Sequence, residues 1–363
     1  AGFVVGIKII GEWFPPQKMG IAQGIYGGWG NFGAAFAAFT LPQIASFFPS
    51  AIGWRVSVIF CGILCLTWAV IYYRFAEDSP KGQKKLELAS GSRFKVTSRK
   101  DLVLLVLIQI PLYATLIALV WTLSGHPLSL LTLSFSYPIC GLVLIGFMIH
   151  IRRDINFNLP WLISGVPEEN CYELRQVFIL SLVYSLTFGS ELAVISIFPQ
   201  YLENLFALTF TQAGFLASSF AFMNLVTRPA GGWFSDRVGR KRSLVVLLSG
   251  IIFCYAYMSF ITSEWSVVGA LGVAVFCSIF LQAGNGSCFS MVPLIQKDLT
   301  GKMAGLVGAY GNVGSVLFLI AFSFLGGASF FKVLSGYAAF VLLTVIFLCP
   351  FKLEKDNLFI STE

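Results

Sequence analysis

Apolar runs long enough to cross a bilayer follow one another along almost the whole chain. Covering about 30 Å of hydrocarbon takes about twenty apolar residues as a helix. Such runs extend over Ile21 to Phe48, Trp54 to Phe75, Leu102 to Leu123, Leu128 to Ile151, Val177 to Leu205 and Ala213 to Phe234. They continue over Leu244 to Thr262, Val267 to Pro293, Met303 to Leu325 and Phe330 to Phe351, with a partial run from Ala1 to Phe14 at the start. In lipid each backbone N–H and C=O must be satisfied internally, so runs of this length cross as helices. The expectation is an all-α polytopic membrane protein with about eleven spans. Composition agrees: 57% of the 363 residues are hydrophobic and 11% are charged, which excludes an ordinary soluble domain.

The net charge of +7 does not indicate nucleic acid, because the basic residues are scattered through the loops between apolar runs. With the loop from Asp236 to Arg242 placed in the cytoplasm, twenty Lys and Arg fall on that side and two, Arg55 and Lys332, on the other. That asymmetry is the positive-inside pattern, and it puts the carboxyl terminus in the cytoplasm. Lys8 and Arg228 remain inside spans. The eight cysteines lie mostly within apolar runs without metal-ligand spacing, and read as small core residues. No HExxH, Walker loop or catalytic constellation is present, so no enzyme, cofactor or metal site is expected.

The segment Gly24-Ile-Tyr-Gly27-Gly28-Trp-Gly30-Asn31-Phe-Gly33 recurs near the other end as Gly305-Leu-Val-Gly308-Ala-Tyr310-Gly311-Asn312-Val-Gly314. At 100° per residue Gly24, Gly27, Gly28 and Asn31 share one helix face, and Gly30 and Gly33 share another. A glycine face lets a neighbouring backbone approach closely, and an amide bordered by bare backbone can hydrogen-bond a small ligand. Internal symmetry of this kind marks secondary transporters whose site lies between two halves. Asn31 and Asn312 are therefore expected on facing helices lining one central cavity.

A guanidinium at membrane depth needs a counter-charge. Arg228 has no acid three or four residues on and stands about 12 Å along a helix from Asp236; a planar anion suits its fork. Tyr184 and Phe188, four apart, share a face that reads either as core packing or as a wall for a flat ion. Glu191, one turn further, is an intramembrane carboxylate expected to pair with Lys8 or Arg228 or to shuttle protons. Lys8 and Glu12 form an i,i+4 couple.

The turn Gly232-Trp-Phe-Ser-Asp236-Arg237-Val-Gly239-Arg240-Lys241 is similar, position for position, to the GxxxDRxGRK loop of the major facilitator superfamily. The two glycine-Asn segments resemble the paired signatures of its nitrate/nitrite porters, and Gly284-Asn285-Gly286-Ser-Cys-Phe289-Ser-Met-Val292-Pro293 resembles their tenth-helix motif. Bacterial and cyanobacterial nitrate permeases are most similar around Glu12 to Gly33. This resemblance implies secondary transport of nitrate and nitrite by alternating access. It assigns substrate contacts to Arg228, Asn31, Asn312, Tyr184, Phe188, Phe3, Gly27, Gly28 and Gly308, and a conformational latch to Asp236, Arg237 and Arg240, with Glu191 as the coupling candidate. The implied partners are a small inorganic anion and the bilayer, with no nucleic acid and a monomeric state; transport of another small or organic anion, or anion sensing without transport, are the competing readings.

On that pattern residues 1–75 hold helices four to six of twelve, and helices one to three, with a further substrate arginine, precede Ala1. Residues 177–351 hold helices seven to twelve, and 352–363 form a cytoplasmic tail. Residues 76–176 comprise cytoplasmic loops and an inserted pair of spans, 102–123 and 128–151, expected as a hairpin outside the main bundle.

Overall fold

The computed structural model describes residues 2–77, 94–125, 129–167 and 171–349. The tail 352–363, much of the loop after Phe75, and His126 lie outside the described residues. The described residues form helices α1 (Gly2–Trp13), α2 (Met19–Ser46), α3 (Ser50–Phe75), α4 (Arg99–Ser124), α5 (Leu133–Ile163) and α6 (Leu174–Phe206). They continue with α7 (Phe210–Phe222), α8 (Asn224–Val238), α9 (Arg240–Met258), α10 (Val267–Ile295), α11 (Thr300–Leu325) and α12 (Gly327–Leu348). Eight of these are long and apolar enough to cross a membrane. The remainder of the eleven expected spans comprise the 12-residue α1, the glycine-diluted α2, and the run from Ala213 to Phe234, which is divided.

That division is at Met223, between α7 and α8. Asn-Leu-Val reads as helix from sequence, but here side chains take over backbone bonding. Gln282 Nε2 donates to the Phe220 carbonyl at 2.7 Å, and Asn224 Nδ2 donates to that of Ala221 at 3.3 Å. The Met223 carbonyl, by contrast, keeps the Thr227 N–H at 2.9 Å and opens α8. A carbonyl satisfied from outside tolerates the loss of its helical partner.

The glycine stripe on α2 meets α8 in antiparallel register: Gly20 lies on Gly232, Gly24 on Arg228 and Pro229, and Gly28 on Asn224. A methyl at Gly24 would sit 2.6 Å from Pro229 Cα, and one at Gly28 would sit 2.6 Å from the Asn224 carbonyl oxygen. On the other side of α8, Gly231 abuts the backbone of Ala283, and Gly286 abuts the Arg228 carbonyl. These close approaches are what small residues every fourth position permit between membrane helices. Gly30 and Gly33 have nothing within 4 Å. Their counterparts Gly311 and Gly314 pack against α6, at Tyr184 with Phe188 and at Ser185 respectively.

α5 runs twelve residues beyond the expected end at Ile151 and takes up the polar stretch from Arg152. The buried positions of the extension are polar. Asp154 and Asn158 are buried; Gln109 Nε2 donates to Asp154 Oδ2 at 2.6 Å, and Val96 N–H donates to Asn158 Oδ1 at 2.9 Å. Hydropathy marks only the apolar part of such a helix. α4 and α5 pair, helped by Tyr113 OH and His150 Nδ1 at 3.1 Å. α4 then leans on α6 and α11, where Leu105 and Ile108 are buried and Tyr310 OH donates to the Ile108 carbonyl at 2.7 Å.

Candidate functional site

Arg228 lies on α8, five residues past the break, and is 1% exposed. Its Nη2 donates to Tyr184 OH at 3.0 Å. Its Cζ lies 5.9 Å from the ring centroid of Phe3 and 5.8 Å from that of Phe188, distances at which aromatic faces attract a guanidinium. Gly27 leaves room for the head group, since a methyl there would stand 2.6 Å from Nε. Among the described residues no carboxylate forms an ion pair with it. Its Nη1 is buried with no hydrogen-bond partner.

The aromatic wall is built by helical spacing. Tyr184 and Phe188 stack with centroids 4.8 Å apart and planes at 6°. Phe289 of α10 meets Tyr184 edge-on at 4.5 Å and Phe3 of α1 edge-on at 5.2 Å. Three rings thus touch the guanidinium, and Phe289 braces two of them. Sequence places Phe289 only within the tenth-helix motif; its packing against both Tyr184 and Phe3 makes it part of the site.

One turn beyond Gly27 on the same face, Asn31 also has a buried Nδ2 without a partner. A buried donor left unpaired costs about 1–3 kcal/mol, and two such donors lie on the neighbouring helices α2 and α8. Asn312 is not brought there, contrary to the expectation of facing amides. It is exposed, and its Nδ2 donates to the Gly308 carbonyl of its own helix at 3.1 Å. The reason lies in α11's two faces: Gly311 and Gly314 turn to α6, while Gly301 and Gly305 turn to Lys8 and Val4 of α1. Gly308, further along that second face, has nothing within 4 Å.

Glu191 is fully buried, and pairs with neither Lys8 nor Arg228. Lys8 is held by Glu12 at 3.5 Å. Both carboxylate oxygens are instead taken by amides, Oε1 by Asn224 Nδ2 and Oε2 by Asn285 Nδ2, each at 2.5 Å. Nothing in sequence spacing brings residues of α6, α8 and α10 to one point.

At the far end of α8, Asp236 accepts the Ile21 N–H at 3.3 Å and is also bonded to the Gly20 backbone. It therefore sits at the amino end of α2, where a helix favours negative charge. Arg240 Nη1 approaches its Oδ1 at 2.5 Å and also donates to Ser290 Oγ at 2.8 Å and Ser235 Oγ at 3.2 Å. Burial pushes the Asp236 carboxyl up, and Arg240 beside it pulls it back down. Gly239, at φ 105°, makes the turn that lets Arg240 fold back onto Asp236. Arg237 stands outside this cluster, over the Trp233 ring at 4.9 Å.

The family model of the Major Facilitator Superfamily matches residues 1–161 and 180–358. The nitrate/nitrite transporter NrtP of Nostoc punctiforme is 39% identical over 365 residues, covering 98% of this chain and 72% of the relative. The protein of the same name from Picosynechococcus is 37% identical over 401 residues, covering 98% and 74%. A nitrite extrusion protein of Bacillus subtilis is 24% identical over 315 residues, covering 86% and 58%.

Proposed function

The chain belongs to the Major Facilitator Superfamily and to its nitrate/nitrite porters, and from that premise we propose that it carries nitrate and nitrite across the membrane by alternating access. The observation that carries the reading is the Arg228 head group: buried, without a carboxylate, flanked by Phe3 and Phe188, with Nη1 unpartnered. A small planar anion satisfies that nitrogen and the charge at once, and slides between aromatic faces as a larger tetrahedral ion does not. Tyr184 orients the fork, Gly27 gives it room, and Asn31 supplies the second orphan donor. Gly28 serves by packing α2 on Asn224. Asn312 and Gly308, on the open face of α11, take no part in the site in this arrangement.

In this reading residues 1–75 belong to one half and 177–351 to the other, and the substrate lies between them. Asp236 and Arg240 latch α8 to the start of α2 on the cytoplasmic side, with Arg237 contributing charge to the same loop. The protein resides in the cell membrane with the carboxyl terminus in the cytoplasm, works as a monomer, binds no nucleic acid and needs no cofactor.

The test is counterflow of labelled nitrate into proteoliposomes containing the intact protein, with nitrite, formate and chloride as competitors. Nitrate and nitrite are expected to exchange and to compete, while chloride does not. Absence of nitrate counterflow, or equal competition by chloride, overturns the reading.

A further inference from the structure

Glu191 stands in a cage of two amides. Its two oxygens receive one amide N–H each from Asn224 and Asn285 at 2.5 Å, and all three residues are completely buried. No ion pair reaches the carboxylate among the described residues, so its charge lacks the direct cation that buried carboxylates ordinarily require. The carbonyl oxygens of both amides are buried and unpartnered. These two acceptors stand in the same cage as the carboxylate they flank.

We infer that Glu191 is a proton-binding site linked to the anion at Arg228, so that anion and proton move together. The inference rests on the transport reading given above. When the carboxylate is charged, both amides donate to it. When it is protonated, turning over one amide brings its idle carbonyl oxygen to the acid O–H while the other amide goes on donating. The proton enters from the aqueous side as the anion does and leaves on the opposite side with it; no other bond is made or broken.

The link to the anion is electrostatic and short. Asn224 and Arg228 are one turn apart on α8, about 6 Å along the axis, and Gly286, beside Asn285, abuts the Arg228 carbonyl. A charged Glu191 offsets part of the guanidinium's field; a neutral one leaves it for the anion. Since linkage is reciprocal, the bound anion favours the protonated acid equally.

Other groups facing this region do not compete for that role. Tyr184 lies on α6 itself; Tyr255 of α9 donates to Ser190 Oγ at 2.7 Å. Cys288 of α10 donates to the Leu180 carbonyl at 3.4 Å, and Tyr337 of α12 shares a hydrogen bond with Ser185 at 2.7 Å. α7 has no titratable residue, and those of α11 are Lys302 near its first turn and Tyr310, whose hydroxyl is spent on α4. Phenols and thiols stay neutral near pH 7, which leaves Glu191 and Arg228 as the charged pair.

The experiment compares the intact wild type with Glu191→Gln, whose amide presents the one-donor, one-acceptor pattern of the protonated acid. In wild type, nitrate affinity is expected to fall as pH rises, by up to about tenfold per unit, the limit for one linked proton. An inward proton gradient is expected to drive accumulation. In Glu191→Gln, affinity is flat with pH and gradient-driven accumulation is lost, while nitrate counterflow continues and shows that the protein is folded. A second measurement on wild type alone, proton uptake on adding nitrate in weak buffer, covers a variant that fails to fold. No proton uptake, or pH-dependent affinity unchanged in Glu191→Gln, overturns the proton site while leaving nitrate transport standing. No nitrate binding by wild type at any pH overturns both.

Discussion

Gly27 of α2 lies against the guanidinium of Arg228 on α8, so closely that a single methyl group would stand 2.6 Å from Nε and 3.0 Å from Cζ. The residue with the largest fully buried side chain among the described residues is thus accommodated by the absence of one. Gly27→Ala is expected to push the fork off its position between Phe3 and Phe188 and to weaken nitrate binding by about tenfold, or ~1.4 kcal/mol. An equilibrium titration on purified protein measures this, and an unchanged Kd would remove Gly27 from the site. Gly28→Ala instead meets the Asn224 carbonyl, and its expected effect is a lower thermal midpoint, from overpacking worth about 1–3 kcal/mol.

Arg228→Lys keeps the charge and loses the planar fork. Nitrate binding should weaken by one to two orders of magnitude, about 1.4 to 2.8 kcal/mol, and Arg228→Gln should be worse. If Arg228 served only to hold a gate, transport rate would fall at constant affinity, so an unaltered nitrate isotherm for Arg228→Lys would falsify the anchor role.

Asp236→Asn removes the charge that sits on the first N–H groups of α2 and beside Arg240. The interaction with a helix amino end is worth about 0.3–1 kcal/mol, and it is made in the conformation described here. Initial rates of counterflow should change several-fold while the nitrate Kd stays within about twofold. A change in Kd matching the change in rate would place Asp236 in binding rather than in the conformational step.

Tyr310→Phe deletes the hydroxyl that reaches the Ile108 carbonyl of α4. Loss of about 0.5–1.5 kcal/mol is expected, localised to the docking of the α4–α5 pair on α11. Hydrogen exchange should speed up in α4 and leave α8 unaffected. Uniform acceleration across all helices would mean that the pair is integral to the bundle.

Much of this arrangement is legible in residue order because membrane helices declare themselves by length and composition. Gly24, Gly27 and Gly28 could be placed on one face from periodicity, as could Tyr184 beside Phe188, and both placements depend on one helix only. The Glu191 cage could not, since its three residues come from three helices and their meeting depends on how those helices cross. Asn312 shows the opposite error. Its match to Asn31 is real, but equal sequence does not mean equal surroundings: Gly311 and Gly314 pack on α6, while Gly30 and Gly33 have nothing within 4 Å. The break at Met223 was hidden for another reason: the Phe220 carbonyl there is bonded by Gln282 of a distant helix, and no Pro or Gly marks the spot.

The two glycine tracks that grip α8 have a mechanical meaning. Where side chains interlock, one helix moves past another only by lifting knobs out of holes. Where backbone rests on backbone, as along Gly20, Gly24 and Gly28 and again at Gly231 and Gly286, there are few knobs to lift. Such a helix behaves as a runner in a slot, stiff against sideways displacement and cheap to shear along its length. Arg228 and Asp236 ride on this runner about 12 Å apart, so a stroke that frees the carboxylate from the start of α2 also carries the guanidinium past Gly27.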